Sequence, residues 1–337
     1  MNSTPAFESE VHSPMSTVLL RCHAPFLLAA ILLTGFSLRG EDSLSSDKQR
    51  YLILHADDAG MCHSVNQATI EALEKGIVTS CSIMIPCPWV TEFAEYAKTH
   101  PQFDYGLHLT LNCEWKLYRW GPVAGKDKVP SLVDEHGYLW SSVEQVAKHA
   151  KPEEVAIELR AQIRRAEQLG IPVSHLDTHM GALVSRPDLV EIYGAVGIEF
   201  DLPVLFFRSL DEPTLRVYPA LRDVGPPLIT RLKAQGLPLI DGLAQFYGGD
   251  SHEQRRESYE KTIKTLPPGV SELIIHCGRD DDELRAVTNS AARRDGDRRI
   301  FTDPEIARLI KDEGIRLITW KQFRELRAKS SSAPERK

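Results

Sequence analysis

Two adjacent carboxylates, Asp57 and Asp58, follow the apolar run Tyr51-Leu52-Ile53-Leu54-His55. One carboxylate of such a pair can hold a cation while the other handles protons, and alone the pair also suits a turn cap before Gly60. His108 interrupts an apolar alternation in Gly106-Leu107-His108-Leu109-Thr110. That pattern fits a metal ligand or a hydrogen-bonded residue at the rim of a sheet. The densest cluster is His175-Leu176-Asp177-Thr178-His179. On a strand, alternation sends His175, Asp177 and His179 to one face. Two imidazoles and a carboxylate there make either a metal site with its own orienting group or a solvated sheet edge. On a helix His175 and His179 would still meet. His276 ends the apolar stretch Glu272-Leu273-Ile274-Ile275 just before Gly278, where a general acid would sit well. The run Arg279 to Glu283 lacks the spacing and glycine of a calcium loop and reads as a solvated turn and helix start.

All four clusters lie at the ends of strand-like runs, which is where parallel α/β folds place their active sites. Strands are expected over Tyr51–His55, Val78–Ile85, Tyr105–Leu109, Pro172–His179, Val204–Phe207, Leu237–Ile240, Glu272–His276 and Arg316–Trp320. Helical patterns alternate with them. Ser64 is expected to cap a helix that Gly76 closes, and Pro152 opens the clearest helix, which ends at Gly170. Further helices are expected over Ile229–Gln235, Glu253–Leu266 and Pro304–Lys311. Repeated strand–helix units imply an α/β fold with a parallel sheet, and seven or eight units in roughly 290 residues favour a distorted (β/α) barrel like a TIM barrel. A single such domain is expected over 51–328, with a disordered tail over 329–337. The segment from Asn112 to Ser142 is long for a connection, so it is a functional loop or an inserted hairpin.

The chain has 337 residues, 42% of them hydrophobic and 26% charged, an ordinary globular composition. A formal net charge of -7 argues against a nucleic-acid partner, which would demand clustered Lys and Arg. At the N-terminus, Arg21 precedes the apolar run Ala24–Leu38 and a polar segment follows it. This is the layout of a secretory signal peptide over residues 1–40, starting at Met1 or Met15 and ending near Ser37 or Gly40, with a linker over 41–50. The alternative is an uncleaved anchor. Either way a secreted or periplasmic body is expected, with no other membrane association. Cys62, Cys81, Cys87, Cys113 and Cys277 remain after it, an odd number with no zinc-finger spacing. Cys81 and Cys87 read as small core residues.

Taken in order, these clusters resemble the YdjC/ChbG family of carbohydrate deacetylases, relatives of the polysaccharide deacetylases. The residues that carry the resemblance are Ala56-Asp57-Asp58-Ala59-Gly60, Val65-Asn66, Gly76-Ile77-Val78-Thr79-Ser80, Gly106-Leu107-His108-Leu109, His175-Leu176-Asp177-Thr178-His179 and Glu272-Leu273 with His276. They span Tyr51 to Gly278. The resemblance implies a distorted barrel that hydrolyses an N-acetyl group on a sugar or oligosaccharide. By position it implies one divalent metal ion on Asp58, His108 and His179, with Asp57 as general base and His276 as acid. His175 and Asp177 would support the ligands, and Arg208 would orient Asp57. A carboxylate with two imidazoles suits zinc, iron, cobalt or nickel by ligand type, although the family is often described with magnesium. Two departures put the substrate in question. Met180-Gly181-Ala182 follow His179 where the family usually has further histidines, and the family's His-Pro-Gly is His276-Cys277-Gly278 here.

Aromatic residues of the long loop, Trp115, Tyr118 and Trp120, together with Trp140, can stack on sugar rings or anchor the loop. Competing functions are hydrolysis of another bond, such as a phosphoester, a carbohydrate-binding protein without catalysis, and a purely structural metal. A phosphoester enzyme would call for a second metal or an Arg/Lys clamp, which the motifs lack.

Overall fold

The computed structural model describes residues 20–21, 49–249 and 251–331. The expected signal peptide and linker lie outside the described residues, save for Leu20–Arg21 and residues 49–50. Among the described residues eight strands form one sheet: β1 (Leu20–Arg21), β2 (Arg50–Ala59), β3 (Ser80–Ile83), β4 (Tyr105–Leu109), β5 (Val173–Thr178), β6 (Gly242–Gln245), β7 (Gly269–Ile275) and β8 (Ile315–Leu317). Their order is β1-β6-β7-β2-β3-β4-β5, with β8 also on β2. Every pairing is parallel except that of β1 with β6.

Closure into a distorted (β/α) barrel comes from a segment too short to count as a strand. Leu176 of β5 donates to Pro203 O and receives the N–H of Leu205, and further on Ile240 donates to Phe206 O and receives the N–H of Arg208, toward β6. The expected strands at Val204–Phe207 and Leu237–Ile240 are therefore only single bridges, Leu176 to Val204 and Phe207 to Ile240. Pro203 and Pro238 lack the N–H that a longer ladder would need. On the opposite wall β2 is longer than expected, because β7 pairs its first half and β3 its second. β8 fills the side of β2 beside Arg50–Leu52, below where β3 begins at His55.

Helices cover the outside, and among the described residues none is long and apolar enough to cross a membrane. The helix His63–Lys75 corrects the expected Ser64 cap: Cys62 precedes it with no side-chain bond. Its first N–H groups are satisfied from afar, Ser64 N–H by Glu283 at 2.6 Å, while the Ser64 hydroxyl bonds Asp281 and Glu283. The helix Pro152–Gln168 matches expectation, with acidic Glu153 and Glu154 in its first turn. The long segment 112–142 is a loop whose one antiparallel bridge joins Val133 to Leu139. At the C-terminus, the helix Trp320–Ser331 runs into the expected tail, and residues 332–337 lie outside the described residues. Cys62, Cys81, Cys87, Cys113 and Cys277 are all buried and free, so they pack as small apolar groups.

Candidate metal centre

The barrel interior is unusually polar. Alternation along β2 points His55 and Asp57 inward, toward His108 of β4 and Asp177 of β5, which the parallel register places side by side. His175 lies deeper, wholly buried and stacked on Trp320 at 4.9 Å. Gly106 is required there, since a Cβ would meet the His175 ring at 2.3 Å. Trp320 also donates to the buried Glu272 at 2.8 Å. Burial, above all, pushes the Glu272 carboxyl up to about 8.

Strict alternation would send Asp57 and Asp58 to opposite faces. A register shift between Ala56 and Ala59 and a left-handed backbone at Asp58 (φ 69°) turn both carboxylates to the same mouth. Asp is among the few residues that tolerate this conformation. Asp58 Oδ1 then lies 3.4 Å from His108 Nε2 and 3.4 Å from His179 Nδ1. It is buried without a hydrogen-bond donor. Two atoms bonded at about 2.1 Å to one ion at a tetrahedral angle are about 3.4 Å apart. The donor set Asp58, His108 and His179 therefore fits a divalent cation, and all three ligand atoms lie within 4.8 Å of one another.

Each imidazole is held at its far nitrogen by a carboxylate. His108 Nδ1 meets Asp177 Oδ1 at 2.7 Å, and His179 Nε2 meets Glu114 Oε2 at 2.9 Å. This is the arrangement that orients metal-ligating histidines. Burial opposes charge on both rings, but Glu114 and Asp58 hold the His179 imidazolium up to about 10, and Asp57 and Asp177 raise His108. Burial would likewise raise Asp58, yet Arg294 and His179 hold it well below the usual carboxylate range. The site thus favours positive charge between its carboxylates, as protons or as a cation.

Asp57 stands beside this cluster. Its Oδ1 is 3.3 Å from His55 Nε2 and 3.4 Å from Ser82 Oγ; its Oδ2 is 3.7 Å from both His108 Nε2 and His276 Nε2. His276 follows β7, with its backbone N–H on Asp297 at 3.0 Å, and burial lowers its pKa from the ordinary imidazole value. It is neutral near pH 7.

Two expectations need correction. Arg208 does not reach Asp57: its Nε is 2.6 Å from Asp241 Oδ1 at the closure bridge. The guanidinium in the site is Arg294, whose Nη2 donates to Asp58 Oδ2 at 2.7 Å. Its helix, Ala291–Phe301, approaches closely because Gly278 has no Cβ, which would stand 2.8 Å from the Arg294 Cβ. Of the loop aromatics only Trp115 lines the cavity above the metal cluster, a space of about 770 Å³. Trp120 is 3% exposed, and the Tyr118 hydroxyl donates to the Met61 carbonyl, so both anchor the loop. Trp140 does the same through Ser131 O at 2.8 Å. Tyr247, not singled out in the sequence, lines the cavity with its ring 5.3 Å from that of His276.

Glu114, Arg294 and His55 are the other residues that sequence reasoning missed as site members. His55 had a signal, being two residues from Asp57 on one strand and therefore on its face. Glu114 and Arg294 come from a loop and a charged helix with no periodicity to distinguish them.

Fold and cluster together define a parallel α/β barrel with a metal-competent centre at the C-terminal ends of its strands. Residues 51–312 match the family described as YdjC-like protein, and the chain belongs to that family. Over 283 residues it is 34% identical to a carbohydrate deacetylase of Thermus thermophilus, covering 82% of this chain and 95% of that one. A carbohydrate deacetylase of Thermoanaerobacter pseudethanolicus is 28% identical over 273 residues, covering 80% of this chain and 98% of that one. A crystal structure of an Enterococcus faecalis protein is similar with a TM-score of 0.67 at 27% identity, covering 82% of this chain and 99% of that chain.

Proposed function

We propose that this chain is a metal-dependent carbohydrate deacetylase that removes the N-acetyl group of an amino sugar. The observation that carries this reading is the unpartnered Asp58 Oδ1, equidistant at 3.4 Å from two imidazole nitrogens and adjacent to a carboxylate that is not needed as a ligand. The names of the relatives above support it. Asp58, His108 and His179 would hold one divalent ion, which when bound supplies a Lewis acid for the acetyl carbonyl and for water.

The chain's own residues supply the proton traffic. Asp57 Oδ2 takes a proton from water as its oxygen attacks the acetyl carbon. His276 is neutral at rest and 3.7 Å from that oxygen, so it relays the proton to the departing amine. The C–N bond breaks, and acetate and the free amino sugar leave. Arg294 keeps Asp58 ionised throughout. Trp115 and Tyr247, at the cavity wall, offer faces for a sugar ring.

The test is acetate release from a panel of N-acetylated sugars and oligosaccharides, with zinc, cobalt, nickel and magnesium supplied in turn. Release from at least one glycan, abolished by chelator, is expected. Absence of release from every glycan with every ion defeats the reading. The apolar run Ala24–Leu38 behind Arg21 supports action outside the cytoplasm. An N-terminus near residues 37–40 in protein recovered from an expressing cell would agree; retention of an intact N-terminus in the cytosol would not.

A further inference from the structure

His55 takes no part in the ligand set, yet it touches both halves of the site. It is wholly buried. Its Nε2 lies 3.3 Å from Asp57 Oδ1 and 3.0 Å from Asp177 Oδ2. Its Nδ1 is hydrogen-bonded to the Ser80 hydroxyl, on the residue directly across the β2–β3 pair. The edge of the His175 ring, 5.1 Å away by centroids, holds it from below. The imidazole therefore has one orientation, with one nitrogen aimed between two carboxylates.

We propose that His55 is a positioning residue whose Nε2 ties Asp57 to Asp177, setting the base and the support of the His108 ligand at a fixed separation. The inference rests on the deacetylase reading for what Asp57 does. Asp57 Oδ1 is engaged by His55 and Ser82, which leaves Oδ2 facing His108 and His276. Asp177 divides its oxygens likewise, Oδ1 hydrogen-bonded to His108 and Oδ2 facing His55 Nε2 as an ion-pair contact at 3.0 Å. Without a donor at position 55, Asp177 Oδ2 would be buried with nothing to face and Asp57 Oδ1 would keep only the Ser82 hydroxyl at 3.4 Å, so each carboxylate could turn about its last torsion. A rotation of that kind moves the working oxygen of Asp57 by about 1 Å or more, enough to cost about a hundredfold in rate.

A rival use of the same atoms is a second metal site, since His55, His175 and Asp177 also present ligand atoms within 4.8 Å of one another. Were the ion held through Nε2, that nitrogen could not also donate to Asp57, so the test below separates the two uses.

The test uses the full chain and three variants: His55→Gln, whose amide nitrogen can occupy the Nε2 position, His55→Asn, whose shorter amide cannot, and His55→Leu. In acetate release, the Leu and Asn variants should lose about a hundredfold in kcat with KM changed by less than about twofold, and Gln should recover at least about tenfold of that loss. Titration with zinc alone provides a second readout. Affinity for one ion should weaken about tenfold in Leu and Asn and remain near wild type in Gln, because Asp177 supports His108. If the Leu variant does not fold, Gln against Asn decides the matter. Equal kcat and equal zinc affinity in Gln and Asn would overturn the proposal, as would two zinc ions per wild-type chain with one lost on replacing His55. Failure of wild type to release acetate would count against the deacetylase reading alone, and the zinc titrations would still judge His55.

Discussion

Glu114 Oε2 lies 2.9 Å from His179 Nε2, on the edge of the ring opposite the nitrogen that faces Asp58. A residue from the long loop thus fixes which nitrogen of His179 is presented to the centre. Asp177 does the same for His108 from a neighbouring strand. Removing either carboxylate, by Glu114→Ala or Asp177→Ala, is expected to weaken metal affinity about 10- to 100-fold while leaving His108 and His179 in place. Calorimetric titration checks this, and unaltered affinity in both variants would refute the orienting role.

Metal affinity should rise with pH. In the metal-free protein, His179 is held up to about 10 by Glu114 and Asp58, and Asp57 and Asp177 shift His108 upward as well, so protons compete with an ion for both rings. An ion must displace those protons, and raising the pH removes the competitor. Titrations from about pH 6 to about pH 9, in buffers of different ionisation enthalpy, should show tighter binding and fewer protons released at the alkaline end. Affinity that is flat across this range would count against ligation by these two nitrogens.

Asp57→Asn should separate binding from turnover. The variant keeps the shape of the side chain and leaves Asp58, His108 and His179 untouched, so metal content is expected to match wild type. Loss of the general base should lower kcat by about 10²- to 10⁴-fold. Activity close to wild type would assign the proton transfer to another group.

The two neighbouring tryptophans should behave differently. Trp115 lines the cavity, and Trp115→Ala is expected to reduce kcat/KM by up to about tenfold, the worth of one aromatic contact of about 0.5–1.5 kcal/mol. Trp120 is buried under the loop, and Trp120→Ala should cost about 3–5 kcal/mol of stability, read from the denaturant midpoint. A stable Trp120→Ala protein with a raised KM would reverse this assignment.

What could be read from the sequence follows the reach of local pattern. Strand alternation and the ordered motifs point to Asp57, Asp58, His108, Asp177, His179 and His276, and the structure brings these residues together. The barrel was legible for the same reason, from repeated strand–helix units. Its closure was not, because the segment at 203–208 makes single bridges where the apolar runs suggested whole strands. Arg208 was misassigned because a basic residue after a strand carries no mark of which acid it will meet; Asp241 lies across the closure and is nearer. Arg294 entered through the close approach of its helix at Gly278, a tertiary event that no periodicity announces. Ser64 shows the same limit at a helix end, where Glu283, distant in sequence, replaced the expected local cap.

The central claim is that one ion on Asp58, His108 and His179 makes the site catalytic. The most direct measurement is acetate released as a function of ion bound per chain, taken on wild type, His108→Ala and His179→Ala prepared metal-free and reloaded. Activity is expected to rise in proportion to occupancy up to one ion in wild type, with weakened loading and little acetate from either variant. Full acetate release by metal-free wild type, or full loading of both variants, would contradict it.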